Sequence, residues 1–564
     1  MQLNLVKSII FDIKVAMPKA ANPRSGSLTL PPPTDDESKA MEESKTVQAE
    51  EQAAPSRPPG SSANTVTASH QNTEPKNPDL VSSAPATNGQ TPDIYSHKPS
   101  AIEAAKANPT GDKKVSWNGP EDPENPKNWP TRRKWAATLL VSALTFISPV
   151  SSSMVAPALG PMADAFSIRR NSVESQMMLS IFLLAYAIGP LFLGPLSESF
   201  GRRPVLLLSS LFYLAWNLGC GFSQNAPEML IFRFLSGIGG SAPQAVGGGV
   251  LSLAPLLGPA IGPLAGGFIT ENTTWRWTFW ATSIAAGIIQ VTLYFFLPES
   301  YTPVILQRRR DRLAKETGSQ NLHTAHDHEQ TATLIQAIGS AVVRPTRMLV
   351  TQPIMQLITL YIAYLFGLFY LIISTFPTVF SDVYHESLSI SGLNYISLGV
   401  GYIVGAQANA HVTDRLYKHL KAKRADNKGL PEFRIPAMFV GSAIVPVGLF
   451  WYGWSVQARL HWIMPNAGIV IFSMGAIVCL QCMQAYIIDS YSRFAASAMA
   501  AAVVLRSLAS FGFPLFAPHM YATLGYGWGN SLLGFVSVVV GIPAPYVFWV
   551  YGARLRAMSK YAAD

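Results

Sequence analysis

Charge is scarce in this 564-residue sequence: Asp, Glu, Lys and Arg make up only 13% of it, about half the ~25% usual in a soluble domain. With 49% hydrophobic residues beside that deficit, the bulk of the chain is not an ordinary water-soluble fold, and lipid is indicated as its solvent. Cysteine is nearly absent. Cys220, Cys479 and Cys482 each fall inside an apolar run, which excludes a disulfide framework. Cys479 and Cys482 have a CxxC spacing but no strand–helix redox context and no second ligand pair, so neither a metal site nor a cofactor is expected. HExxH, GxSxG and the phosphate-cradling GxxxxGK[ST] are all missing. That speaks against an enzyme and against an ATP-driven pump, and active transport would have to draw on an ion gradient.

The net charge of +9 does not point to nucleic acid. The first 130 residues hold 13 Lys and Arg against 16 Asp and Glu, leaving 29 against 17 for the remainder. The basic excess therefore belongs to the apolar part, where it reads as loop charge on the inner side of a membrane. Residues 1–130 are rich in Pro, Ser, Ala and Asn without a periodic apolar face and are expected to be a disordered cytosolic tail. The apolar patch at Ser8 to Phe11 is cut short by Asp12 and Lys14, so the first span, rather than a signal peptide, is expected to direct insertion.

A bilayer core of about 30 Å needs roughly 20 apolar residues at a rise of about 1.5 Å each. Twelve such windows follow Lys134, at 135–158, 175–196, 203–223, 228–249, 251–270, 277–297, 352–376, 391–412, 434–456, 462–487, 494–520 and 529–551. Basic clusters at Arg132 to Lys134, Arg202 and Arg203, Arg308 to Arg312, Arg415 to Arg424 and Arg554 to Lys560 alternate with poorly basic loops, which puts both termini in the cytosol. The polar, basic stretch 298–350 divides six spans from six. The expected organisation is all-α: the tail, a first half at 131–297, a cytosolic central loop at 298–350 and a second half at 351–564.

Gly194-Pro-Leu-Ser-Glu-Ser-Phe-Gly-Arg-Arg-Pro204 links the second and third spans. Gly194 and Gly201 permit a tight turn, with Glu198, Arg202 and Arg203 at the membrane face. Arg233 sits in the apolar run Leu230 to Ile238, where an arginine costs about 2.5–3.5 kcal/mol at a helix centre and needs a partner, a wet cavity or an interface to snorkel to. Gly258-Pro-Ala-Ile-Gly-Pro-Leu-Ala-Gly-Gly267 puts Gly258, Gly262 and Gly266 on one face, open to a close neighbour, while Pro259 and Pro263 bend the helix. These three stretches resemble motifs of the major facilitator superfamily. Asp122-Pro-Glu-Asn-Pro-Lys-Asn-Trp129, Ser151-Ser-Ser-Met-Val-Ala-Pro-Ala158, Leu505-Arg-Ser507, Phe513-Pro-Leu-Phe-Ala-Pro518 and Gly527-Trp-Gly-Asn530 are similar to its fungal drug:proton antiporter family with twelve spans. The resemblance covers about residues 117–556. It implies two six-helix halves, a plasma-membrane carrier of drugs, toxins, polyamines or secondary metabolites, a gating role for the turn after the second span, proton coupling at Arg233, and antiport through the motif containing Gly258, Gly262, Gly266 and Gly267.

A cavity for a bulky organic substrate should be lined by aromatic and weakly polar groups. Candidates are Asn217, Gln244, Tyr361, Tyr364, Gln407 and Asn409, with Phe369 and Tyr370 on the same span as the two tyrosines. Arg506 and Asp489 are further ionisable groups in or beside apolar runs and, with Arg233, the candidates for proton coupling. The first span has no acidic residue between Trp135 and Leu159, so a carboxylate carrier is not available there. Asn272-Thr-Thr274 is a glycosylation sequon on the outer side of this topology, close to the bilayer.

From Phe234 to Thr270 no charged residue occurs, although the stretch holds the end of one span, a cytosolic turn and the next span. Relatives by resemblance carry a polar loop there, so a cramped hairpin at Gly247 to Val250 is expected, with Glu198 the only acid near Arg202 and Arg203, and with impaired transport. Three readings follow: proton-coupled export of small organic molecules, proton-driven uptake such as that of a polyamine, and a transport-impaired receptor or scaffold. Protons, a small organic substrate and the bilayer are the partners implied, and a monomer is expected.

Overall fold

The computed structural model describes residues 113–246, 253–318, 322–324, 334–424, 429–492 and 494–559. The first half contains α1 (Thr131–Ser153), α2 (Leu159–Ala165), α3 (Val173–Phe200), α4 (Arg202–Cys220), α5 (Ala226–Gly240), α6 (Ala242–Val246), α7 (Leu253–Asn272) and α8 (Arg276–Phe296). A link of α9 (Thr302–Thr317), β2 (Leu322–Thr324) and α10 (Leu334–Thr351) leads to the second half. That half contains α11 (Pro353–Asp382), α12 (Leu388–Leu393), α13 (Ile396–Ala422), α14 (Pro436–Gln457), α15 (Ile463–Ser490), α16 (Ala495–Val536) and α17 (Pro543–Ala557). The turn expected at Gly247 to Val250 lies outside the described residues.

Eight helical stretches among the described residues are long and apolar enough to cross a bilayer. The last of them, Ala495–Ala557, has 63 residues, about 95 Å as one helix and far more than one crossing needs. Gly525 breaks it: its φ of 69° and ψ of 174° are not helical, and a glycine adopts them without a Cβ clash. The chain doubles back there, since Gly529 packs on the ring of Tyr521 and the Tyr521 hydroxyl donates to Asn530 Oδ1 at 3.0 Å. With α4, α5 continued by α6, and α7, the twelve crossings inferred from the apolar windows are present.

The first crossing is discontinuous. Pro157 has no N–H to offer the carbonyl of Ser153 four residues earlier, and α1 ends at Ser153, followed by a 3-10 turn at Ala156–Ala158 before α2 resumes the path. Four buried serines, Ser148, Ser151, Ser152 and Ser153, stand at that break.

Two stretches expected to lack secondary structure, 113–130 and parts of the central loop, carry it. Residues 113–130 carry β1 (Lys113–Val115), which pairs in parallel with β2, and Val115, Leu313 and Leu322 form a small apolar core beneath it. The reason is Asp122, whose Oδ2 accepts from the Asn118 amide and Arg309 Nη1, both at 2.8 Å, and whose Oδ1 accepts from the Glu124 amide at 2.9 Å. Burial opposes ionisation of Asp122, but the Arg309 bond and the two backbone donors outweigh it and hold its carboxyl below the usual range. A depressed carboxylate contributes stability throughout the range above its unfolded pKa and loses it only as pH falls through the lower, folded value. The clasp should therefore be insensitive to acidification from about pH 7 to about pH 5.5, whereas Asp122→Asn leaves the buried Arg309 with only its longer pair to Glu124, at 3.5 Å. Hydrogen-exchange protection over 113–130 and 302–318, taken relative to the intrinsic rate at each pH, should be unchanged by that pH step and clearly lower in the variant. Equal exchange in variant and parent would refute the clasp.

Candidate functional site

Arg233 lies seven residues into α5, roughly 10 Å along its axis, and is fully buried, so it does not snorkel to an interface. Gly237, Gly239 and Gly240 let α5 sink among its neighbours: a Cβ on Gly237 would stand 2.6 Å from the Phe182 carbonyl, and one on Gly239 2.6 Å from the Ser209 carbonyl. The guanidinium spreads over four backbone carbonyls. Nη1 donates to Ser151 at 3.2 Å, Nη2 to Ser152 at 3.3 Å and to Leu179 at 3.5 Å, and Nε to Met178 at 3.1 Å. Ser151 and Ser152 belong to the last turn of α1, whose carbonyls have no helical donor ahead of them and carry the negative end of the helix dipole. Arg233 caps the break in the first crossing. The faces of Phe182 and Phe279 complete its surroundings at 4.8 and 5.7 Å, and among the described residues no carboxylate pairs with it.

The two halves meet beside this cap. The Tyr370 hydroxyl of α11 lies 3.3 Å from Ser152 Oγ, and Tyr186 of α3 bonds both Ser148 and the Gly240 carbonyl. Arg506, eleven residues into α16 and so roughly 16 Å from its start, lies within electrostatic reach of Tyr370 and Tyr186. Its guanidinium rests on the Phe366 ring at 4.7 Å. Arg233, Ser152, Tyr370, Tyr186 and Arg506 thus form one polar band at the interface of the halves.

The other candidate side chains are elsewhere. Tyr361 and Tyr364 point into the second half, where Tyr364 bonds the Leu533 carbonyl at 2.7 Å and Ser537 Oγ at 2.8 Å and a tight cleft is lined by Tyr361, Ser442 and Gly541. Tyr370, six residues beyond Tyr364, is turned by about 240° to the opposite side of α11, which is why it and not the earlier pair meets the first half. Asn217 is fully buried and saturated by Ser151, the Phe279 carbonyl, Thr282 and Ser283; it ties α1, α4 and α8 together. Asn409 bonds Gln481 and Thr413 within the second half, and Gln407 is exposed on α13. Among the described residues, the buried Gln244 Oε1 has no hydrogen-bond donor. Asp489 is at the end of α15, where Arg434 Nε donates to it at 2.9 Å. Asn272 caps the exposed end of α7 through the Phe268 carbonyl.

At the turn between α3 and α4 the acid that matters is Glu299, not Glu198. Glu198 is exposed, whereas Glu299 accepts from the backbone amides of Arg202 and Arg203, each at 3.1 Å, capping the N-terminus of α4. Arg203 Nη2 donates to the Tyr294 carbonyl at 2.7 Å and Arg202 stacks over Tyr301 at 5.4 Å. The turn is therefore held from the end of α8, which corrects the expectation that Glu198 is the only acid near the two arginines, although Glu299 bonds their backbone amides and not their guanidiniums. Gly201 makes the turn with φ 101°, while Gly194 is inside α3 with open space around it.

The glycines of α7 divide between two neighbours. A Cβ on Gly258 would meet Pro149 at 2.7 Å, one on Gly262 the Val150 carbonyl at 2.6 Å, and one on Gly266 would overlap the Met154 carbonyl, all along the end of α1. Gly267 faces the second half, 2.5 Å from the Leu388 carbonyl by the same construction, with Gly392 of α12 beside it. Pro259 and Pro263 both lie inside α7. One turn from Gly267, Glu271 Oε2 accepts from the Ser389 amide at 2.6 Å. The halves are thus closed on the face that carries Glu271.

The sequence profile described as Major Facilitator Superfamily matches residues 141–514. The chain belongs to the major facilitator superfamily. It is 53% identical over 465 residues to a protein named Efflux pump vrtL from Penicillium aethiopicum, a match covering 80% of this chain and 91% of that one. It is also 39% identical over 463 residues to MFS-type transporter penM from Penicillium rubens, covering 79% and 90%. In fold it is similar to the xylose transporter XylE from E. coli in a partially occluded inward-open conformation, with a TM-score of 0.53, 16% identity and coverage of 74% and 98%. At that identity only the fold is shared. The chain is accordingly a multi-pass membrane transporter of small molecules, and the break in α1, its Arg233 cap and the α7 glycines lie within the matched segment of this superfamily member.

Proposed function

We propose that this transporter exports small organic molecules from the cytosol across the plasma membrane, with both termini cytosolic, in exchange for protons and by alternating access. The observation that carries the reading is the seam between α1 and α7: a broken helix, capped by a buried arginine, packed backbone to backbone against a glycine-lined helix that also touches the second half through Gly267. Such a seam is rigid within its half and ends at the interface between halves, as a rocking element requires. Efflux pumps among the relatives support export, and the basic face at Arg202, Arg203 and Arg308 to Arg312 supports its assignment to the cytosol. The Glu271 face is then the outer one, closed in this structure.

Expression in a pump-depleted yeast should lower accumulation of at least one organic dye several-fold, and a protonophore should restore it. Accumulation unchanged by the protein at verified surface levels, or efflux indifferent to the protonophore, would each remove a part of this reading.

A further inference from the structure

The band at the interface of the halves contains two guanidiniums and, among the described residues, no carboxylate. Among the described residues the acidic residues of the crossing helices are Asp164 of α2, Glu174 and Glu198 of α3, Glu228 of α5, Glu271 of α7, Asp382 of α11, Asp414 of α13 and Asp489 of α15, none of them in the band. The two arginines are not equivalent. Arg233 is fully buried, its donors are taken by four carbonyls, and the helix dipole of α1 offsets part of its charge. Arg506 lies deep in the fold yet keeps part of its surface accessible. Among the described residues its side chain has no hydrogen bond and no ion pair, only the face of Phe366.

A guanidinium about halfway across a bilayer is costly to place there, and donors left without acceptors in a low-dielectric interior add to that cost. Phe366 lowers it by a cation–π contact but satisfies no donor. What the arginine lacks is an acceptor carrying negative charge, and the Phe366 ring against it, with Tyr370 and Tyr186 within electrostatic reach, suits a flat aromatic body. A cationic substrate would meet two like charges in a medium that screens them weakly.

We propose that the transported molecule is an aromatic organic anion, a carboxylate or phenolate, whose charged group pairs with Arg506 while its rings lie against Phe366 and Tyr370. This rests on the export reading for its biological sense, but the binding site does not depend on the direction of transport. The same charge argument sets a polyamine aside as the substrate.

Fluorescein and rhodamine 6G share a three-ring core and differ in charge, so they separate charge from shape. Fluorescence anisotropy of each dye titrated with the purified full chain in lipid nanodiscs should show fluorescein bound and rhodamine 6G bound at least tenfold more weakly. Arg506→Gln should weaken fluorescein about tenfold or more, in line with the loss of charge-assisted hydrogen bonds, and leave rhodamine 6G unchanged or tighter. Arg506→Lys, which keeps the charge, should lose only a few-fold and serves as the check that the glutamine variant fails for want of charge and not of fold. No binding of fluorescein by the parent, equal binding of both dyes, or indifference of fluorescein to Arg506→Gln would each overturn the proposal. Fluorescein bound in nanodiscs but not exported by cells would uphold the anion site and defeat the export reading alone.

Discussion

Replacing Arg233 by alanine should abolish transport, and replacing it by lysine should restore little of it. The alanine variant strips four carbonyls of a charged donor at once, two of them on the buried last turn of α1, where no helical donor replaces it. A hydrogen bond to a charged group contributes about 1.5–3 kcal/mol, and even partial loss over four such bonds is worth more than the roughly 2.8 kcal/mol that separates a hundredfold change in rate. Lysine keeps the charge but is a point donor on a flexible stem, and it cannot reach α1 and α3 together as a planar fork does. Uptake or efflux measured in vesicles at matched protein levels should fall by about a hundredfold or more for Arg233→Ala and by at least about tenfold for Arg233→Lys. A lysine variant with near-parental transport would show that charge alone is required, as a proton-coupling role would have it, and that the cap on α1 is incidental. Arginine keeps its proton at any physiological pH, which is why the capping role rather than proton carriage follows from the geometry.

Much of this was legible in the sequence because lipid restricts the choices. Twelve apolar windows mean twelve helices, since no other open structure satisfies its backbone in hydrocarbon, and Gly258, Gly262 and Gly266 fall on one face at a spacing of four whatever they pack against. Other features were hidden for physical reasons. Tyr361 and Tyr364 share a helix with Tyr370, and an all-round apolar helix gives no periodicity to say which side meets the other half. Glu299 follows an unremarkable Leu297-Pro298 and acts on amides nearly a hundred residues earlier, a pairing that only the fold reveals. Asp122 was visible within Asp122 to Trp129, but its partner Arg309 is one of several arginines in a row, and burial alone distinguishes it. The serines of 151–153 could be read, and the hydroxyls of Ser151 and Ser152 do meet Asn217 and Tyr370, yet Arg233 is held by the main-chain carbonyls of the first two, which any residue would supply; what the sequence does record is Pro157, which frees the end of α1.

Gly266→Val should also be strongly damaging, by a different route from the loss of Arg233, while Gly194→Ala should be harmless or stabilising. Both glycines lie inside helices, so propensity alone favours substitution by about 1 kcal/mol in each case when alanine replaces glycine. Their surroundings decide the outcome. Around Gly194 there is nothing within 4 Å of an added Cβ, and Gly194→Ala should transport like the parent with an unchanged or raised melting temperature. At Gly266 the added atom would overlap the main-chain carbonyl of Met154, which cannot swing aside as a side chain end could. Valine adds two more carbons to that collision, so α7 must move away from α1 at the very point where α1 is broken and capped. Close-packed interiors do not absorb such a displacement locally, and its far side is Gly267 against Leu388 of the second half. The shift should therefore be felt both as lower thermal stability in detergent and as transport reduced by more than about tenfold, since the cost of overpacking, about 1–3 kcal/mol, falls on the moving interface. Parental transport by Gly266→Val would mean that α1 and α7 do not move as one body, and the seam could then no longer be the rocking element.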